Sequence, residues 1–579
     1  MASTSRWRMV THRSDDERGM DGVRRRSALK LGAAGIAGIG PLSAYSAGVA
    51  RGAPSATPVG VHVAYGDDPT TSLNVGWTGG TADTARVEYG TSGLDETAMA
   101  STRTLPTDDE SQPVAYTASL TGLEPGTTYR YRAVMDGEAS KTFAVETAPE
   151  AGGSFRVTAV GDHGIADPDN PGQRPDTDDP EKVVARAQAQ DPAFHIGVGD
   201  LSYSNGKPST WELYFDTFEE FYATTPFVTV PGNHEAEVFT GLQQYDARLN
   251  QLMPETTGTP PNEKRWYDFQ YGNALFIGLN TTSEDCAPPS RFEEQVPIYD
   301  PRCNFDTASD SISDQQRALY ETQREFLEKT LSEAAEDDSI EWNIVYFHGP
   351  LWTDSPDHAP RQVLREEWGT LFDKYDVDLV LHGDNHVYER TCTVSNKRAL
   401  ESGSDAEGIV PAGTTYIVNG TGGVNHYAFN EGVPEWTDVR SNEFFGVTQL
   451  DIDDERLRVR YVVEDGSVID EFAIAKTPDG EPVQVDPALE GVAGDRPPTD
   501  PDCDGLYEDV TGDLSGGLAE TDEGFVKPDA EGYDVVDVQT LFANRESDAV
   551  RSNPEAFDFN RDGRTDVVDV QKLFRGLSD

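Results

Sequence analysis

The chain has 579 residues, more than one hydrophobic core usefully fills, which points to several domains. Its 103 acidic residues outnumber 46 basic ones, for a formal net charge of −57, and that excludes a binder of nucleic acid or anionic membrane, whose phosphates would be repelled. With 8 Trp, 22 Tyr and 24 Phe the chain is too aromatic for a solvated tail, so the charge reads as an acidic surface on a folded protein, of the kind that stays hydrated in strong brine.

At the N-terminus, Arg25 and Arg26 precede Ser-Ala-Leu-Lys and an apolar stretch from Leu31 to Ala50. The pattern resembles a twin-arginine export signal spanning residues 1–53, with cleavage between Ala44 and Ala53. The stretch is rich in Gly and Ala and too weakly hydrophobic for a stable span, so no membrane-spanning segment is expected in the mature, secreted or cell-surface chain. Of four cysteines, Cys286 and Cys303 share one Pro-rich loop, where export favours a disulfide; Cys392 and Cys503 have no assigned partner.

Residues 54–150 read as a small β domain. Val61–Tyr65 and Leu73–Trp77 alternate between turns rich in Gly, Asp and Thr, and Leu120–Tyr131 resembles the tyrosine-corner region of a fibronectin type III-like sandwich, with Trp77 as its core tryptophan. Over 151–476 the pattern becomes α/β: strand-like runs at Phe155–Val160, Phe194–Val198, Phe227–Val230, Leu275–Leu279, Ile344–Phe347 and Val377–Leu381, and an amphipathic helix over Ser313–Ala335. Later runs at Thr415–Val418, Gly446–Ile452, Leu457–Val463 and Ser467–Ala473 read as antiparallel strands. Residues 477–499 form a Pro/Asp/Gly linker.

From 500 to 579 there is an internal repeat: Asp534–Phe542 recurs as Asp566–Phe574. Before and within the second copy, Asp558, Asn560, Asp562, Asp566 and Asp569 fall at positions 1, 3, 5, 9 and 12 of a calcium loop, with Gly563 at position 6. Five converging oxygens need a cation, so Ca2+ is expected there; the first copy, opened by Asp509, Thr511 and Asp513, carries an insert that breaks the loop. The segment resembles a dockerin module, which implies a small α tail that docks onto a protein partner.

Five motifs stand at strand ends in the central domain: Gly161-Asp162-His163-Gly164, Gly199-Asp200-Leu201-Ser202-Tyr203, Gly232-Asn233-His234-Glu235, Val345-Tyr346-Phe347-His348 and Gly383-Asp384-Asn385-His386. Strand ends of an open α/β sheet converge on one crevice, and glycine before each carboxylate gives the backbone room to turn. Each motif alone is a common turn; the five in this order match the calcineurin-like metallophosphoesterases. Tyr203, three residues after Asp200, narrows the resemblance to the purple acid phosphatases, as does the preceding β domain; it covers residues 56–476.

That resemblance implies a multidomain chain: a fibronectin III-like sandwich, then a four-layer α/β metallophosphoesterase domain in which helices flank a β-sandwich. It implies a phosphoric ester hydrolase acting on small-molecule phosphomonoesters through metal-bound hydroxide. Asp162, Asp200, Tyr203 and His386 would hold Fe3+, with Asp200 bridging to a divalent metal (Zn2+, Mn2+ or Fe2+) held by Asn233 and His348. His234 and, ten residues past His348, His358 would contact the phosphate or move protons. Where the family has Gly-His-x-His this chain has Gly-Asp-Asn-His, and three readings stay open: Asp384 ligates the second metal, His382 reaches in instead, or that site is weak or empty. His163 is expected beside Asp162, His195 in the core, and His426 at the pocket rim. Rival functions are a phosphodiesterase or nucleotidase with the same metals, and a surface-attached binding protein with a decayed site.

Overall fold

The structure, a computed structural model, describes residues 56–105, 113–150, 152–168, 175, 177–205, 207–236, 242–254, 265–282, 314–477 and 480–485. The export signal, Cys286, Cys303, Cys503 and the calcium loop from Asp558 to Asp569 lie outside them.

Alternating side chains make the N-terminal domain a β-sandwich. One sheet joins Val59–Tyr65, Ser72–Gly79, Val114–Thr121 and Ser101–Thr104; the other is built around Ala85–Gly90 and Thr128–Met135. Trp77 is buried between them, its ring stacked on Tyr116 at 5.4 Å. The hydroxyl of Tyr129 accepts from the Glu124 amide at 2.9 Å, which closes the expected corner.

The central domain contains two seven-stranded mixed sheets, facing each other as a sandwich. In the first, Phe155–Val160, Phe194–Val198 and Phe227–Val230 run parallel, and Gly446–Ile452, Leu457–Val463 and Val468–Lys476 continue it antiparallel. In the second, Ala274–Gly278, Trp342–Tyr346, Leu379–His382 and Thr415–Asn419 are parallel neighbours. The expectation that Thr415–Val418 is antiparallel is therefore corrected on one side: it pairs parallel with Leu379–His382 and antiparallel only with Tyr388–Thr391. The first sheet also runs past residue 476, because Pro482–Val485 adds an edge strand where the linker was expected to begin.

Both faces of these sheets are covered, which explains strands that are apolar throughout rather than alternating. Phe194, Phe276, Ile344, Leu379 and Tyr461 share the core between the sheets. Outside, helices Asp179–Ala189 and Ser209–Tyr222 cover the first sheet with Val183, Trp211 and Phe218, and helix Asp314–Ala334 covers the second with Phe326, Leu327 and Leu331. The sandwich domain packs on the first outer layer: His62 stacks on Phe215 at 4.2 Å, and the Tyr131 hydroxyl donates to the Ala223 carbonyl at 2.6 Å. Cys392 is buried and disulfide-bonded, to a partner outside the described residues.

Candidate dinuclear metal centre

The carboxyl ends of both parallel sets meet at one place. Backbone bonds tie the loops there: Gly161 N–H donates to the Asn419 carbonyl at 3.0 Å across the two sheets, and Gly383 N–H to that of His348 at 3.0 Å within the second. The turns are tight enough that Asp162, Asp200, Tyr203 and Asp384 all take positive φ, 60°, 52°, 52° and 68°. Such backbone costs of order 1 kcal/mol or more per residue and persists where its surroundings enforce it. Gly199, before Asp200, takes φ 81° as the expected tight turn requires, whereas the glycines before Asp162 and Asp384 supply space rather than dihedral freedom. A Cβ at Gly383 would fall 2.7 Å from Asp162 Oδ2, and one at Gly232 only 2.1 Å from Asp200 Oδ1.

Donor atoms gather in two groups. In the first, the Tyr203 hydroxyl lies 3.0 Å from both Asp162 Oδ1 and His386 Nε2, which are 3.2 Å apart. In the second, His348 Nε2 lies 3.1 Å from Asn233 Oδ1, 3.3 Å from Asp200 Oδ1 and 3.6 Å from Asp384 Oδ1. Ligands at 2.0–2.2 Å from one ion stand roughly 3.0–3.5 Å from each other, so each group has the spacing of a single coordination sphere. Asp162, Asp200 and His348 also converge as one buried cluster, which relates the two groups. Both histidines are held with Nε2 inward. His386 Nδ1–H donates to the Asn425 carbonyl at 2.7 Å and His348 Nδ1–H to that of Val198 at 2.8 Å.

The electrostatics fit cations. Asp162, Asp200 and Asp384 are buried together, a charge density that is costly without counter-charge. Burial alone would lower the affinity of His348 for a proton, but Asp200, Asp162 and Asp384 raise it well above the usual histidine range. Burial would lift Asp384, yet His358, Arg361 and His348 hold it well below the usual carboxylate range. Burial, with Asp162 and Asp200, drives the Tyr203 phenol well above its ordinary value, so only a cation in that place would draw the proton off.

Around this centre is a cleft of about 330 Å³ lined by Asp200, Asn233, His234, Asp357, His358, Asp384, His386 and Tyr427. His234 is held by its backbone N–H on Asp200 Oδ1 at 2.8 Å, with Nε2 3.8 Å from Asp200 Oδ2 and Nδ1 on Asn205 Oδ1. His358 is fixed through Asn385, which accepts its N–H at 3.1 Å and donates to its carbonyl at 2.9 Å.

Four histidines stand elsewhere. His382 points away from the centre: Nδ1 sits 3.1 Å from the Phe347 carbonyl and the ring packs between Phe347 and Tyr416, so it does not replace Asp384. His163 is buried against His195 and Tyr214 with no hydrogen bond to Asp162, and burial lowers it to about 3. His195 lies in the core on Thr158 Oγ1 at 2.8 Å, and His426 stacks on Phe445 at 4.0 Å, outside the cleft lining.

Four residues escaped the sequence reading. Glu235 is fully buried and accepts three backbone N–H groups, from Asp200 and Gly232 at 2.7 Å and Leu201 at 2.9 Å. Burial and the Asp200 charge push its pKa upward, against the pull of those donors. Tyr427 stacks on His386 at 3.9 Å, Asn205 receives His234, and Arg361 grips Asp384. Only Glu235 carried a signal, its place directly after Asn-His.

Comparison with known proteins agrees with this geometry. The family model "Purple acid Phosphatase, N-terminal domain" matches residues 58–147, "Calcineurin-like phosphoesterase" matches 155–388, and "Iron/zinc purple acid phosphatase-like protein C" matches 413–471. The chain belongs to the purple acid phosphatase-like metallophosphoesterases and is a phosphoric ester hydrolase. An uncharacterized protein of Mycobacterium tuberculosis is 30% identical over 71% of this chain and 78% of its own length. Human acid phosphatase type 7 is 25% identical over 75% of this chain and 94% of its own, and a probable inactive purple acid phosphatase 27 of Arabidopsis thaliana 26% over 62% and 57%. The structure of purple acid phosphatase PPD1 from yellow lupin seeds shares the fold, with a TM-score of 0.56 at 23% identity over 73% of this chain and 75% of that one.

Proposed function

We propose that this chain hydrolyses phosphomonoesters in the cleft over Asp200. A trivalent iron would be held by Asp162, Asp200, Tyr203 and His386, and a divalent metal by Asp200, Asn233, His348 and Asp384. The observation that carries this reading is the pair of donor groups, each spaced 3.0–3.6 Å, with Asp200 next to both. Such a metal pair supplies Lewis acidity and lowers the pKa of water toward neutrality. The chain's own residues do the rest. Asn205 and the Asp200 carboxylate orient the His234 ring so that Nε2 can carry a proton to the leaving oxygen. His358, fixed by Asn385, meets the phosphate from the other side, and Tyr427 walls the cleft. Intact donor groups speak against a decayed site.

The test is metal analysis of the purified full-length chain, with its visible spectrum and its turnover of p-nitrophenyl phosphate against the bis-ester. Two metals per chain, a tyrosinate-to-iron band and faster monoester turnover are expected. Faster bis-ester turnover would make it a phosphodiesterase or nucleotidase, and one metal or none would end the hydrolase mechanism offered here. We also propose twin-arginine export, supported by Arg25-Arg26 and by the Cys392 disulfide, which oxidising compartments preserve. Calcium binding at Asp558–Asp569, with docking to a protein partner, is proposed on the loop spacing. Export of an Arg25→Lys/Arg26→Lys chain would refute the first, and a full-length chain blind to calcium the second.

A further inference from the structure

Asp384 brings with it a residue that no motif marks. Arg361 Nη2 lies 2.5 Å from Asp384 Oδ2, and both side chains are buried, at 4% and 1% exposure. Room for the guanidinium comes from Gly349, directly after His348: a Cβ there would sit 2.6 Å from Arg361 Nε. The Arg361 N–H donates to the Pro350 carbonyl at 2.9 Å, which anchors the arginine to the segment that carries His348. With Oδ2 taken, Asp384 Oδ1 is left buried without a hydrogen-bond partner, 3.6 Å from both His348 Nε2 and His358 Nδ1.

A carboxylate in place of an imidazole adds one negative charge to the second metal's donor set. It strengthens attraction for the cation but blunts its Lewis acidity. A buried guanidinium at hydrogen-bond distance cancels that charge in a medium where charges interact strongly. We propose that Arg361 is a charge-compensating residue: it occupies Asp384 Oδ2, Oδ1 is left to the second metal, and the two side chains together serve as one neutral ligand. This rests on the dinuclear reading above. It also reverses a simple expectation. Asp384→His, which restores the family's residue, should weaken metal binding, because it takes the Asp384 carboxylate away from a buried guanidinium and leaves that positive charge uncompensated by it beside the site.

The experiment measures affinity for the second equivalent of Mn2+ and of Zn2+, by competition with a chromophoric chelator, on full-length variants whose folding is checked by circular dichroism. Arg361→Gln should bind Mn2+ about tenfold tighter, since one positive charge is gone; a merely structural arginine would instead lower that affinity. Asp384→His should bind about tenfold weaker, and Asp384→His/Arg361→Gln should recover wild-type affinity for Zn2+. Arg361→Lys, which keeps the charge, should stay close to wild type and covers the case in which Arg361→Gln does not fold. A wild-type chain that takes up one metal sinks the dinuclear reading and this inference with it. Two metals in the wild type, with weaker binding by Arg361→Gln or no recovery in the double variant, overturn this inference alone.

Discussion

At the scale of single residues, the candidate metal centre depends on side chains outside its two donor groups. Glu235 is the strongest case. Its two oxygens collect three amide protons from the loops that present Asp200 and Asn233, so one carboxylate sets the distance between two strand ends. Glu235→Gln should cost about 2–3 kcal/mol, because an amide nitrogen would face backbone donors that it cannot accept from. Thermal unfolding of the metal-free protein checks this without reference to turnover, and an unchanged midpoint would show that the loops hold themselves. The candidate ligands were legible in the sequence because each stands in one of five short motifs at strand ends. Arg361 was not, because it lies in a loop whose approach to Asp384 depends on the tertiary fold.

Elements show the same division. Strands buried on both faces were readable as apolar runs, and Gly446–Ile452 and Leu457–Val463 fall where the pattern put them. Their direction was less readable: Thr415–Asn419 has one parallel and one antiparallel neighbour, and no local pattern encodes both. Helix Asp314–Ala334 follows its amphipathic stripe, but the pattern gave no hint of the charge beneath it. Asp268, on edge strand Tyr267–Tyr271, is raised to about 6 by burial and by Glu333, with Lys329 opposing. Its folded value exceeds the unfolded one, so the stability it contributes is complete below about pH 4 and lost as pH rises through 6. Asp268→Asn should therefore match the wild type at pH 4 and exceed it by about 1–2 kcal/mol at pH 7.5, after discounting for partial exposure. Urea melts at the two pH values measure the difference; equal gains at both would assign the effect to something other than titration.

Across the whole molecule, the two faced sheets explain why one site draws on five distant motifs: parallel strands of both sheets end at the same edge, and the domain's interior holds them in register. The sandwich domain stiffens this arrangement from outside by gripping helix Ser209–Tyr222, which follows the Asp200–Tyr203 loop. Over all of it lies a net charge of −57. Ion pairs such as Arg156–Asp451 at 2.6 Å and Arg458–Glu471 at 2.7 Å offset little of it, since acidic residues outnumber basic ones by more than two to one. Self-repulsion should then dominate over attraction at low salt. The screening length falls from about 10 Å at 0.1 M to about 3 Å at 1 M, so potassium chloride over that range should raise the unfolding midpoint, where a protein resting on surface pairs would lose stability. The rise should be steepest at the lowest concentrations, as screening is, and shallow above 1 M, where only preferential exclusion of salt continues. A midpoint that stays flat or falls between 0.1 and 1 M would mean that the acidic surface is not an adaptation to brine.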